Sequence, residues 1–187
     1  MKTTRYFMFF AILICIVASC NSKTSENKTT KIIEWKKELP SRLSEFGHRN
    51  WILIVDKAFP AQNAEGIVTI DTHEDLLKVF EYTIQQIDSS THVTPIVYTD
   101  LELNYITKEQ VTSIDDYRKS LKEIVGKYHH EEILHDSVFV RIDKASKLFK
   151  ILVLKTNMVI PYSSVFIQLD CKYWTSEKEK QLRKSMK

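Results

Sequence analysis

Short unbroken apolar runs alternate along the chain with segments whose apolar residues recur every three or four positions. The first pattern predicts buried strands and the second amphipathic helices. Leu39, Leu43 and Phe46 share one face and predict a helix over 32–46, stopped by Gly47 in a left-handed conformation. Trp51 to Val55 is five consecutive apolar residues between turn formers, a buried strand. A loop over 61–66 leads to a second β-branched run at 67–70. Asp71 or Thr72 then caps a helix over 73–87, with Leu76, Leu77, Phe80, Ile84 and Ile87 on one side. A third strand covers 93–98, where Pro95 argues for an edge or a bulge. Thr107 and Gln110 have capping-box spacing and predict the start of a longer helix ending near Gly126. Segment 138–141 reads as a strand, 143–149 as a short helix, and 151–154 and 163–169 as the last two strands. From 172 onward the chain is polar and charged, a solvated helix or frayed end.

Strands alternating with helices predict an α/β fold with a mostly parallel sheet flanked by helices. The folding unit is expected over 31–174, with a charged tail over 175–187. Three glycines and no Gly-rich phosphate loop argue against a nucleotide cradle.

The first thirty residues have a different character. Lys2 and Arg5 precede an apolar stretch from Tyr6 to Val17, roughly a dozen residues and too short to span a bilayer comfortably. It ends in Val17-Ala18-Ser19-Cys20, small residues before a cysteine, which resembles a bacterial lipobox. Residues 1–19 are thus expected to be a lipoprotein signal peptide, with Cys20 carrying the lipid. Residues 20–30 are then a polar tether, and the membrane anchor is Cys20. Asn21 is not the aspartate that often marks inner-membrane retention, so the expected location is the outer membrane, facing the periplasm. Of the 27 basic residues, Lys2 and Arg5 lie in the leader, which has no acid, so the net charge falls from +3 to about +1. That balance gives no electrostatic case for nucleic acid. Only Cys171 then remains as a thiol, so the domain must hold together by packing rather than by an internal disulfide.

Two clusters invite chemistry. In His129-His130-Glu131-Glu132-Ile133-Leu134-His135, the position four after His130 is Leu134, so the zinc-protease spacing is missed by one. The cluster is expected to be a solvated helix end with a polar turn, and no metal site is predicted. In the second cluster, His48 and Asp56 flank the buried strand, where packing requires neither.

The block Leu43-Ser44-Glu45-Phe46-Gly47-His48-Arg49-Asn50, followed by Ile52 to Val55 and Asp56-Lys57-Ala58-Phe59-Pro60, resembles the signature of the RbsD/FucU family, the D-ribose pyranases and L-fucose mutarotases. A second block, Lys155-Thr156-Asn157-Met158 through Tyr162-Ser163-Ser164 and an apolar strand, is similar to that family's Thr-Gly-Glu and Tyr-Gly/Ala-Asn block. The resemblance spans about 39–169. It implies an α/β sandwich, a ring-shaped homo-oligomer with sugar pockets at subunit contacts, and cofactor-free interconversion of monosaccharide anomers or ring forms. It implies that His48 is the general acid and that Asp56, Arg141, Tyr162 and Ser164 bind the monosaccharide, Arg141 requiring one gap in the match. The chain departs from the pattern at Ser164 for Asn, at Asn157-Met158 for Gly-Glu, and at Val55 for Ala.

The chemistry of ring opening agrees. The ring oxygen gains a proton as the anomeric hydroxyl loses one. Histidine, with an ordinary pKa near 6.5, suits such transfer near neutrality. Charged side chains orient hydroxyls through strong hydrogen bonds. The alternatives are a sugar-binding envelope lipoprotein without turnover and an envelope scaffold with a vestigial pocket.

Overall fold

The computed structural model describes residues 34–186. The leader, the tether, Cys20 and the first residues of the expected N-terminal helix lie outside the described residues, as does Lys187. Helix α1 covers 34–45. Then follow β1 (Trp51–Val55), β2 (Ile67–Asp71), α2 (Leu76–Ser89), β3 (Val93–Asp100), a short 3-10 helix (Leu101–Tyr105) and α3 (Ile114–Val125). The chain continues through β4 (His129–Ile133), α4 (His135–Ser146), β5 (Ile151–Lys155), β6 (Val165–Cys171) and α5 (Ser176–Ser185).

The six strands form one sheet in the order β2-β5-β1-β6-β3-β4. Three of its five pairings are parallel, as expected; β6 runs antiparallel to both β1 and β3. One sheet face packs on α1, α2 and α3 through Trp35, Leu39, Leu43, Phe80, Ile84, Ile114 and Leu121. The other carries Trp51, Leu53, Val153, Tyr98 and Phe166 against Val138, Ile142 and Ala145 of α4. All five residues of β1 are buried because it is covered on both faces, which is why it reads as a continuous apolar run.

Several sequence expectations are corrected. Gly47 is not left-handed; the turn places Arg49 there instead, at φ 75°. Helix α2 starts three residues later than expected, and its cap is Asp75, whose side chain accepts from the backbone of Leu77 and Lys78. His73, expected in the first helical turn, lies before the helix at φ 55°. Asp75→Ala should therefore cost about 1 kcal/mol in urea unfolding, and Asp71→Ala should leave the helix start unchanged. The Thr107–Gln110 box forms in part, with Thr107 N donating to Gln110 Oε1 at 2.9 Å, but it closes a turn and α3 begins only at Ile114. Pro95 sits inside β3, yet β4 joins only from Ile96 onward, so at Pro95 the strand has a neighbour on one side alone.

Two corrections move elements. Residues 129–133 form an edge strand, not a helix end, parallel to the last five residues of β3. Residues 138–141 are not a strand but the middle of α4. Val138, Ile142 and Ala145 are buried at helical spacing, while Val140 is 69% exposed, so the period of burial is helical.

Candidate functional site

Sheet register brings distant residues to one end. Strands β1, β3 and β4 end there with their carboxyl termini, and antiparallel β6 begins there. Val165 pairs with Ile54 on one side and Thr99 on the other, so the segment just before it enters between Asp56 and Asp100. A crevice outside the carboxyl ends of strands, beside a strand of reversed direction, is a common ligand position in α/β sheets.

Asp56 leaves β1 in a tight turn. Its Oδ1 accepts from Ala58 N at 2.7 Å, and its Oδ2 accepts from Ser164 Oγ at 3.0 Å. Ser164 Oγ accepts in turn from Asp56 N at 3.2 Å. This reciprocal pair commits the Ser164 hydroxyl to Asp56, so Ser164 fixes the carboxylate instead of facing a ligand. Next to it, Tyr162 takes a left-handed conformation at φ 56° and keeps 38% of its surface exposed. A non-glycine residue held there carries strain, which accumulates at functional sites. The backbone beyond it is braced, because the buried Tyr117 hydroxyl donates to Ser163 O at 2.6 Å.

The Tyr162 ring meets His135 edge-on, with centroids 5.3 Å apart. His135 opens α4 and is held in several ways. Its backbone N donates to both carboxylate oxygens of Glu102 at 3.1 Å, an acidic cap supplied from the 3-10 helix because Leu134 at the cap position has none. Its Nδ1 lies 2.9 Å from Asp100 Oδ2, within hydrogen-bond distance. Phe139 lies one turn on, 4.9 Å from the imidazole, and stacks on Phe59 at 5.5 Å. The Asp100 side chain is fully buried. Burial pushes its carboxyl up to about 6, against the pull of His135, with Glu102 and Asp56 adding repulsion.

Asp56, Ser164, Tyr162, His135 and Asp100 thus surround one apolar-walled end of the sheet. The other two sequence candidates lie elsewhere. His48 is exposed at the opposite end of β1, separated from Asp56 by about 17 Å of strand. Its turn is rigid: Asn50 N donates to Gly47 O, Gly47 N to Asn50 Oδ1, and Arg49 N to Leu169 O at 2.7 Å. Arg141 stands over the Tyr98 ring at 4.9 Å, six residues along α4 from His135. Sequence reasoning did not assign His135, Asp100 or Glu102. The available signal was His135 itself: with 129–133 taken as a strand, it falls at a strand-to-helix junction.

Among solved structures, RbsD from Bacillus subtilis in complex with D-ribose superimposes with a TM-score of 0.51 at 16% identity, covering 71% of this chain and 91% of that one. The fold is that of RbsD. FucU from Bifidobacterium longum has a TM-score of 0.46 at 16% identity, over 72% of this chain and 94% of that one. A fucose mutarotase from Streptococcus pneumoniae in complex with L-fucose has a TM-score of 0.47 at 12% identity, over 70% and 89%. No protein-family model and no curated protein sequence matches the chain.

Within this RbsD-like fold, the described residues contain no group of three or more His, Cys, Asp or Glu placed to hold a metal ion. An open cleft of about 470 Å³ at the carboxyl ends of β2 and β5 is lined by His73, Asp75, Lys78, Asn157 and Met158 among others; it includes none of Asp56, Asp100, His135 or Tyr162.

Proposed function

We propose that the protein is a cofactor-free monosaccharide mutarotase, interconverting the anomers or the pyranose and furanose forms of a sugar such as ribose or fucose. The observation that carries this is the convergence of Asp56, Tyr162 and the Asp100-anchored His135 at one end of the sheet. A carboxylate, a phenol and an imidazole match the hydroxyls of a sugar, and Phe59 and Phe139 match its C–H faces.

In this proposal His48 is the proton donor to the ring oxygen, in the pocket of a neighbouring copy. Its exposure on a rigid turn at the far end of β1 supports that arrangement, because one chain cannot bring His48 to its own Asp56 without unmaking the strand. The homo-oligomer, a ring by family resemblance, is part of the same proposal. So is lipid anchoring of the exported domain through Cys20 in the outer membrane, supported by the lipobox; palmitate labelling lost in Cys20→Ser tests it.

Saturation-transfer NMR of anomer exchange with ribose, fucose and related sugars is the test. Wild type should accelerate exchange of at least one sugar, and Asp56→Ala should weaken binding of that sugar at least about tenfold. His48→Ala and Asp56→Ala should each be inactive alone, yet recover exchange when refolded together. No acceleration of any sugar removes the enzymatic assignment.

A second assignment, sugar binding without turnover, draws on Ser164. Its hydroxyl is committed to Asp56, so the pocket lacks the free amide that the family pattern puts there. Calorimetric binding without exchange favours it.

A further inference from the structure

Ring opening needs a group that accepts the anomeric proton, and beside His135 lies a buried acid that packing does not explain. The Asp100 side chain is fully buried, its Oδ1 has no hydrogen-bond partner among the described residues, and its Oδ2 is given to His135 Nδ1 at 2.9 Å. Buried ionisable groups are costly unless fully paired. The acids around it make matters worse, with Asp56 from the end of β1 and Glu102 from the 3-10 helix both raising its charge cost, while His135 of α4 pulls the other way through its hydrogen bond. An asparagine of the same shape would avoid that cost. What a carboxylate does and an amide does not is accept unambiguously from Nδ1 and attract a proton onto the imidazole.

We propose that Asp100 is a positioning residue that keeps the Nδ1–H tautomer of His135, leaving Nε2 as the base that accepts the anomeric proton of the bound sugar. This rests on the mutarotase assignment and supplies its second proton carrier. Three further contacts keep the imidazole in place. Glu102 fixes the His135 backbone, and the Tyr162 and Phe139 rings meet it edge-on. The imidazole side chain retains 30% exposure, whereas its partner is fully buried.

The step balances. The anomeric O–H proton passes to His135 Nε2, the electron pair it leaves forms the C1=O bond, and the C1–O5 pair goes to the ring oxygen. The ring oxygen takes a proton from His48 of the neighbouring copy. Reclosure on the other face of C1 runs both transfers backwards, so each histidine recovers its starting state.

Long-range ¹H–¹⁵N correlation of the histidine rings, beside exchange rates, tests this. In wild type, His135 should carry its proton on Nδ1. In Asp100→Asn it should shift to the Nε2–H form or a mixture, with exchange slowed about 100-fold and the sugar Kd changed less than about threefold. The wild-type rate should also fall toward acid pH as the pair takes up a proton. A wild-type His135 protonated on Nε2 overturns the proposal without any variant, and so does an Asp100→Asn protein that exchanges at the wild-type rate. Absence of exchange by wild type with every sugar overturns the mutarotase assignment instead, and the tautomer measurement separates the two failures.

Discussion

Truncation of Phe166 to alanine should destabilise the fold by about 4 kcal/mol, within the usual range for a fully buried phenylalanine. Phe166 has no exposed surface and sits on β6, the strand that joins the two halves of the sheet. Its register partners are Leu53 on β1 and Tyr98 on β3, and Leu53 pairs in turn with Val153 on β5. These four side chains make a row across one face, and Val138 and Ile142 of α4 belong to the same cluster. The lost ring would leave a void between the sheet and α4, which among the described residues is the one core-packing helix on that face. Because the backbone of β6 is hydrogen-bonded on both sides, the sheet has little freedom to collapse into it. The expected result in urea is a lower midpoint with an unchanged slope. Phe166→Leu should cost less, about 1 to 1.5 kcal/mol. A loss below about 1.5 kcal/mol for alanine would mean that α4 is not part of the cooperative core. That outcome would also bear on the site, because α4 positions His135.

The parts of the fold legible in the sequence are those where one physical demand dominates. Strands β1 and β5 are buried on both faces, so an unbroken apolar run identified them to within a residue. Helices α1 and α2 have one wide apolar face, and their period was plain. The polar strand β4 was not legible. As an edge strand with residues such as His129 and Glu132 exposed, it has no apolar alternation, and charged edges of this kind discourage further pairing. Helix α4 was obscured by a β-branched stretch. Val138, Phe139 and Val140 look like a strand until Val140 is seen to face solvent. The site divided along the same line. Asp56, Tyr162 and Ser164 stood in blocks of recognisable pattern, and the register of β1 with β6 does bring them together. Asp100 and His135 are 35 residues apart, joined by a hydrogen bond that depends on β3 and β4 lying side by side. No local pattern announces that pairing. The Gly47 expectation failed for a related reason: Asn50 closes the turn with its side chain, and the left-handed position falls on Arg49.

Asp100→Asn should reverse the ordinary expectation for a buried hydrogen-bonded residue by matching or exceeding wild-type stability at neutral pH. The carboxyl of Asp100 is pushed up to about 6 in the folded protein, chiefly by burial, whereas an unfolded aspartate titrates near 3.9. The folded state therefore binds this proton more tightly than the unfolded state. The stability associated with it is fully present below about pH 4 and is lost as pH rises through about 6, since folded protein then carries the extra proton less and less. Over that window the loss is on the order of 2 to 3 kcal/mol. Pairing with His135 is already included in that direction: it lowers the carboxyl, but less than burial raises it. Asparagine has no such titration. Urea unfolding of the two proteins from pH 4 to 8 should thus show wild type losing ground to the variant as pH rises, with the steepest change between 4 and 6. If instead the variant is less stable than wild type by more than about 1 kcal/mol at pH 7.5, the ion pair outweighs the burial, and Asp100 is explained by stability alone. If the variant gains stability while exchange slows, the acid is retained at a cost to the fold, as expected where a charge is needed beside a proton-transferring histidine.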